Sequence, residues 1–252
     1  MTGVGGATFA QFTPFPTDID LRMWTIRLLF VFAVLAVAQT ATAREIGKAT
    51  SVVSRVTAEA GGSVRELQTR APVVENELVR SDQTGIGEFE FLDRSRLAVG
   101  PNSAVRLDRF VFQADRPATA IAVELTRGAF RYVSGKLSRT PLRVSTPSAT
   151  IGLRGTAFDL YVADSGALCI AMINGSVEVC PAGRGCRTHG VVGRYLVMTP
   201  DGRYELLDRW DGSLLGGATF ALAMPFLADQ SRLSPSMRAA ESVVARYRAL
   251  VR

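Results

Sequence analysis

The strongest constraint on how this chain can fold is a period of two that returns in short bursts between residue 44 and about residue 200. Phe89 and Phe91 alternate with Glu88 and Glu90, Val105 and Leu107 with Arg106 and Asp108, and Ile121, Val123 and Leu125 with Ala122, Glu124 and Thr126. Further on, Phe158, Leu160 and Val162 alternate with Asp159, Tyr161 and Ala163, and Val177 and Val179 flank Glu178. Successive side chains of a strand point to opposite faces, so each burst reads as a strand with one buried and one wet face. Turn residues separate the bursts: Gly61-Gly62, Gly85, Gly100-Pro101-Asn102, Gly128, Gly135, Asn174-Gly175 and Pro200-Asp201-Gly202. Many short strands joined by tight turns predict an all-β domain, built as a sandwich, a barrel or a stack of short, mostly antiparallel strands.

The two ends of the chain break this pattern. Leu28–Ala38 is an uncharged apolar run, preceded by Arg22 and Arg27 and followed by Ala41-Thr42-Ala43. A basic start, a short apolar stretch and a small-x-small site have the form of a secretory signal peptide, with cleavage between Ala43 and Arg44. Residues 1–22 contain no usable motif, and Met23 opens a better-formed signal than Met1, so translation is expected to start at Met23 with 23–43 as the signal. The alternative is an anchor formed by residues 24–42, because Trp24 to Thr42 could stretch across a thin bilayer. A β domain is expected over 44–200 and a connector over 201–233, whose apolar stretch Leu214–Leu227 is broken by glycine and proline. At Ser234-Pro235, an N-cap followed by proline at the first helical position predicts a C-terminal α-helix over 234–252.

Familiar catalytic chemistry is scarce. His189 is the sole histidine, so no two-histidine metal site exists. Cys180, Cys186 and His189 fall short of the four ligands of a structural zinc site, and a Cys186–His189 nucleophile pair ranks below a structural reading of the same residues. Neither a G-x-S-x-G elbow nor a phosphate-binding G-x-x-x-x-G-K occurs. Carboxylates are common, but nothing singles out an acid/base pair. The formal charge is +6, carried mainly by arginines spread along the chain rather than clustered. This argues against a nucleic-acid partner and leaves a weak attraction to an anionic envelope polymer. No catalytic residue, cofactor or metal is expected. In an oxidising compartment one disulfide should form among Cys169, Cys180 and Cys186. If Asn174-Gly175 is a two-residue hairpin turn, Cys169 faces Cys180; the other pairing, Cys180–Cys186, closes a short flexible loop and is favoured.

The stretch STPSATIGLRGTAF, Ser145–Phe158, carries the densest pattern. Pro147 cannot donate to a ladder and marks a strand edge or start. Gly152 and Gly155 permit positive φ or close backbone approach. Arg154 between them can bond several carbonyls with its planar fork. The favoured reading is a structural corner held by Arg154; contact between Arg154 and a ligand or partner is the second.

These residues resemble the FecR-type domain, whose members read T-P-x-A-x-I-G-V-R-G-T-x-F. The match comprises Thr146, Pro147, Ala149, Ile151, Gly152, Arg154, Gly155, Thr156 and Phe158, with Leu153 in place of valine. Phe89–Phe112 resembles the family's aspartate turn followed by L-x-V-G-P-N-S, Leu125–Lys136 its G-x-F-R-F-V-S-G-K, and Ile173–Val179 its G-x-V-x-V strand. The likeness covers about Ile46–Val197. It implies an all-β extracytoplasmic domain, which in founding members receives a signal from an outer-membrane receptor and forms part of an anti-sigma regulator. The stand-alone exported members, without a cytoplasmic sigma-binding segment, are the nearer resemblance. The expected function is a non-catalytic periplasmic binding module engaging an envelope protein partner in signalling, with no stable membrane span after cleavage. The alternatives are a structural protein that binds envelope polysaccharide or peptidoglycan and, third, a carboxylate-based glycosidase.

Overall fold

A computed structural model of the chain describes residues 44–113, 116–135, 142–153 and 155–251, with the side chains of 108–121 and 142 left aside. The expectations for residues 1–43, including the signal segment and Ala43, lie outside the described residues, as do Lys136 and Arg154; Arg44 is the first residue described. From Arg44 on, the described residues form one compact unit. Its strands are β1 (Glu45–Val53), β2 (Val56–Ala60), β3 (Ser63–Glu66), β4 (Pro72–Val74), β5 (Glu77–Ser81), β6 (Ile86–Phe91), β7 (Arg96–Val99), β8 (Ala104–Gln113) and β9 (Arg116–Val133). They continue as β10 (Leu142–Ser145), β11 (Ala149–Leu153), β12 (Ala157–Val162), β13 (Leu168–Asn174), β14 (Val177–Pro181), β15 (Arg187–His189), β16 (Tyr195–Met198) and β17 (Tyr204–Leu207).

The strands form two layers. One runs β4-β1-β6-β7-β9-β12-β13-β16-β17, antiparallel throughout. The other runs β3-β2-β5-β8-β9-β10-β11-β14-β15, antiparallel except for the parallel pair β9–β10. The fold is therefore all-β, as the alternation predicts. Successive strands or strand pairs are dealt to the two layers in turn, and β9 belongs to both. Its first part pairs with β8 and β10, and Gly128–Val133 pairs with β12. The switch falls at Gly128, whose φ of +99° is open to glycine at little cost. A Cβ there would lie 2.2 Å from Ser103 Oγ, so the close approach demands glycine as well.

Between the layers lies an apolar core. The first layer supplies Phe89, Phe91, Phe130, Phe158, Leu160, Ile170 and Met172, the second Val56, Val79, Val105, Leu125, Ile151, Leu153, Val177 and Val179. In the second layer the alternation of the sequence holds: Arg106, Glu124 and Glu178 are exposed on its outer face. In the first layer it fails. Glu88, Arg131 and Asp159 occupy outward positions of β6, β9 and β12 and are all buried. The C-terminal segment covers that face. We call the first layer the covered sheet and the second the open sheet.

The cover comprises a 3₁₀ turn Gly212–Leu215, the short helices α1 (Phe220–Ala223) and α2 (Pro225–Ala228), a 3₁₀ turn Pro235–Met237 and the C-terminal helix α3 (Glu241–Ala249). Side-chain oxygens of Asp211 and Thr219 cap the first turn and α1, and proline opens α2. Leu215, Phe220, Met224, Leu227, Val244 and Tyr247 pack on Cys169, Ala171, Tyr195 and Val197 of the covered sheet. Phe226, Leu233 and Met237 pack on Ile86 and Ala98. A C-terminal helix is present, but it begins at Glu241 rather than Ser234. Ser234 spends its amide and hydroxyl on Glu88, and Ala239 donates its amide to Gln230 Oε1 at 2.6 Å, so between them only the 3₁₀ turn Pro235–Met237 forms and the α-helix starts later. The ladder also runs past residue 200, because β17 lies inside the expected connector.

Candidate functional site

The sequence motifs converge on two corners of the sandwich. At the first, the Gly100–Ser103 turn docks on the bend of β9. Gly100 donates its amide to Ala129 O at 2.8 Å, Ser103 Oγ accepts the Ala129 amide at 2.9 Å, and Asn102 holds a φ of +52°. Two segments distant in sequence thus form one device, which lets β9 change sheets without losing its backbone bonds.

At the second corner four segments meet. Ser134 donates its amide to Thr156 O at 2.9 Å, and Ser134 Oγ accepts the Thr156 amide at 2.9 Å. Asp93 Oδ1 accepts from the amide and hydroxyl of Ser95, closing the turn on which Arg94 adopts a φ of +66°. A Cβ on Gly135 would lie 2.2 Å from Asp93 O, and one on Gly175 would lie 2.9 Å from Gly155 O and from Thr156 Cγ2. Asp93 Oδ2, Tyr132 Oη and Thr156 Oγ1 are buried here without a hydrogen-bond partner. Burial, with a smaller push from the Asp93 carboxylate, raises the Tyr132 phenol to about 12.

The opening stretch of the family pattern connects the layers. Thr146 and Pro147 form the turn between β10 and β11, where Thr146 Oγ1 accepts the Ala149 amide at 3.0 Å and the Thr146 amide reaches Ala149 O at 2.8 Å. Ala149, Ile151 and Leu153 point into the core along β11. The chain then crosses to the covered sheet, with Gly155 at a φ of +63°, and Phe158 enters the core on β12. Gly152 carries no such requirement: its φ is ordinary, and a Cβ would find nothing closer than 3.9 Å. The arginine expected to hold this crossing, Arg154, is outside the described residues.

A buried arginine of that kind sits elsewhere. Arg131 on β9 faces Asp159 on β12 in register. Its Nε and Nη2 donate to Asp159 Oδ1 and Oδ2 at 2.5 and 2.8 Å, and its Nη1 donates to Gln230 Oε1 at 2.9 Å and Met237 O at 3.2 Å. Its guanidinium also lies over the Phe226 ring, 5.6 Å from the centroid. Burial raises the Asp159 carboxyl, and the paired guanidinium opposes that rise. Glu88 accepts from the Ser234 amide at 2.8 Å and from its hydroxyl. These charges are the polar anchors of the cover, and sequence reasoning missed them. Each occupies a polar position of an alternating strand and so reads as wet. The signal was available only in the apolar connector, which needs a face to lie on.

The cysteines settle as favoured. Cys180 and Cys186 form a disulfide with a Cα separation of 4.1 Å, and Cys169 is a buried free thiol whose pKa burial raises. The hairpin that would face Cys169 with Cys180 does not form: β13 pairs with β12 and β16 in the covered sheet, β14 with β11 and β15 in the open one. Bound in the disulfide, Cys186 cannot serve as a nucleophile for His189. The Glu178–Cys180–Cys186 group likewise has its two sulfurs committed to each other. His189 is buried on β15 with Nε2 unpartnered, and burial lowers its pKa. Among the described residues, Glu77, Glu88, Asp93 and Asp159 are buried carboxylates, and each is bonded to groups that fix the fold.

Such an arrangement defines a two-layer β-sandwich whose recurring polar and glycine positions serve crossings and turns. Residues 77–178 match the family model FecR, "FecR protein". Two crystal structures of a "putative anti-sigma factor" from Parabacteroides distasonis align with a TM-score of 0.42 and 14% identity. Each alignment covers 52% of this chain and 58% of that one, so the chain spans little more than half the length of these structures. A search of the curated proteins finds no match. Among the described residues, no helix is long and apolar enough to cross a membrane.

Proposed function

We propose that this chain is a non-catalytic FecR-type binding module that engages an envelope protein partner in a signalling relay from the periplasm. The observation that carries this reading is the FecR match over residues 77–178. The span contains the motif residues Gly100–Ser103, Gly128, Ser134, Gly135, Gly155 and Thr156, which are occupied in joining the sheets. The surface left for contact is the outer face of the open sheet and the free strand edges. Among the described residues, the buried carboxylates Glu77, Glu88, Asp93 and Asp159 are each bonded to groups that fix the fold, which favours binding over hydrolysis, because an acid/base pair needs groups free to exchange protons with a substrate. The signal segment 23–43, cleaved between Ala43 and Arg44, would deliver the domain to the compartment in which Cys180 and Cys186 oxidise.

The test is crosslinking of the full chain in intact cells, followed by identification of the linked species and of the linked residue. A single protein recovered through residues of the open sheet or an edge strand supports the reading. Recovery of envelope polysaccharide alone, or hydrolysis of such a polymer by the purified chain, overturns it. N-terminal sequencing of the same material should begin at Arg44; an intact hydrophobic segment in the membrane fraction would replace cleavage by anchorage.

A further inference from the structure

The sandwich has a free end where β15 is the last strand of the open sheet and β17 the last of the covered one. A groove of about 650 Å³ lies between them. One wall is the loop closed by the Cys180–Cys186 disulfide, which holds Arg184 and Arg187 on either side of Cys186. The other is β17 with the turn before it, contributing Arg203, Tyr204 and Glu205. Tyr204 forms the floor: its hydroxyl donates to Val179 O at 2.7 Å, and the Arg187 guanidinium lies over its ring, 5.1 Å from the centroid. Arg203 is paired with Asp201 at 2.9 Å. Among the described residues Arg184 and Arg187 make no ion pair, and Glu205 is the acid on the groove wall, so cationic charge is in excess. Leu206 lies opposite Leu196, on the side of β17 that faces the core, yet it is 41% exposed because no strand follows.

We propose that this end is a strand-docking site for an extended acidic segment of a protein partner, which pairs with the free edge of β17, covers Leu206 and places its carboxylates on Arg184 and Arg187. The edge of β17 supplies unpaired backbone donors and acceptors, the usual means of adding a strand. Tyr204 and Leu206, two apart on β17, share one face, and Arg187 lies over Tyr204, so on that same face of the incoming strand Leu206 selects an apolar side chain and the arginines an acidic one two residues along. The disulfide fixes the arginines in advance, so little ordering remains for the moment of binding. This inference rests on the protein-partner reading and gives it a place and a chemistry.

The probe is an eight-residue peptide with valine and glutamate in turn at its odd positions and threonine at its even ones, titrated into the full mature chain and followed by fluorescence anisotropy and by backbone amide shifts. Saturable binding is expected, with the largest shifts at Tyr204–Leu207. Arg184→Glu and Leu206→Asp should each weaken binding at least tenfold with an unchanged melting temperature; both side chains are exposed. A peptide methylated on alternate backbone nitrogens should not bind, nor should the valine–lysine analogue. Lack of saturable binding by the acidic peptide overturns the proposal. So does binding that survives backbone methylation, or polyphosphate binding as tightly, because either would reduce the site to bare charge. A cellular crosslink to a protein through the outer face of the open sheet would overturn this inference while leaving the partner reading intact.

Discussion

The two sheets use the same alternating sequence to opposite ends. In the open sheet, β14 buries Val177 and Val179 and exposes Glu178. In the covered sheet, β12 buries Phe158 and Leu160 toward the core and also buries Asp159 on the other side. The difference teaches that period-two polarity reports the direction of a side chain, and that what waits on the far side decides its burial. A charge facing water can be lost at little cost; one under a cover must be paired, since an unpaired buried charge is expensive.

The comparison breaks most completely if the cover is removed. Truncation before Asp208 would expose the outer face of the covered sheet and delete Leu215, Phe220, Met224, Phe226, Leu227, Val244 and Tyr247. Each large side chain contributes roughly 1.5–3 kcal/mol on burial, against a total stability of roughly 5–15 kcal/mol for a domain. The truncated chain should lack a cooperative thermal transition by calorimetry; a transition at the temperature of the full chain would show that the cover contributes nothing. Next comes the buried ion pair. Arg131→Met should destabilise by about 3–5 kcal/mol in urea unfolding, because it strands Asp159, whereas Arg131→Met with Asp159→Leu should recover most of that loss. Arg143→Ala, an exposed arginine on the open sheet, should stay within about 0.5 kcal/mol.

Glycines sharpen the same contrast on a smaller scale. Gly128→Ala forces a Cβ to 2.2 Å from Ser103 Oγ at a positive φ and should cost on the order of 1–3 kcal/mol. Gly152→Ala, on the outer face of the open sheet with nothing nearer than 3.9 Å, should be neutral or stabilise by up to about 1 kcal/mol. The smallest effect concerns His189. Burial lowers its pKa from 6.5, so below pH 6.5 the unfolded chain takes up a proton that the folded chain resists. Stability should therefore fall as the pH drops from 6.5 toward the folded value, and His189→Asn should remove that part of the decline. Urea midpoints at pH 7.5 and 5.5 for both proteins would check it; identical slopes would place the imidazole in contact with water.

Much of the fold was legible because strand direction is a local property. The alternation marked β8, β9 and β14 of the open sheet and β6 and β12 of the covered one, Gly128 was among the turn signals, and Gly155 was read as a residue free to take a positive φ. Pairing was less legible. Asn174-Gly175 reads as a hairpin, yet the chain uses it to pass between sheets, since Gly175 must fit against Gly155 and Thr156 and a two-residue hairpin would carry β14 back onto β13. The corner residues were visible as a pattern, but their mutual contacts were not, because Asp93, Ser134, Thr156 and Gly175 are far apart in sequence. The anchors Glu88 and Asp159 were misread for the reason already given, and Arg131 was not singled out at all. The groove at the free end left only its disulfide in the sequence, since an edge strand differs from an inner one by what fails to follow it.

The dealing of strands to alternate layers also sets an order of assembly. Apart from the first four strands, each layer is laid out in the order of the chain, from β5 to β15 in one and from β6 to β17 in the other, with β9 shared. A newly added strand therefore finds its neighbour already made close by in sequence, and contacts of short sequence separation form fast. The cover is the exception. Ser234 reaches back 146 residues to Glu88, and Gln230 reaches back 99 to Arg131. The molecule thus has two tempos built in: a sandwich that can grow rung by rung from its N-terminal end, and a late closure that cannot begin until the final turn of chain is free. Trp210, packed edge-on against Tyr195 and Phe220 at 5.3 and 5.6 Å, sits where that closure would be seen as a separate, slower change in fluorescence.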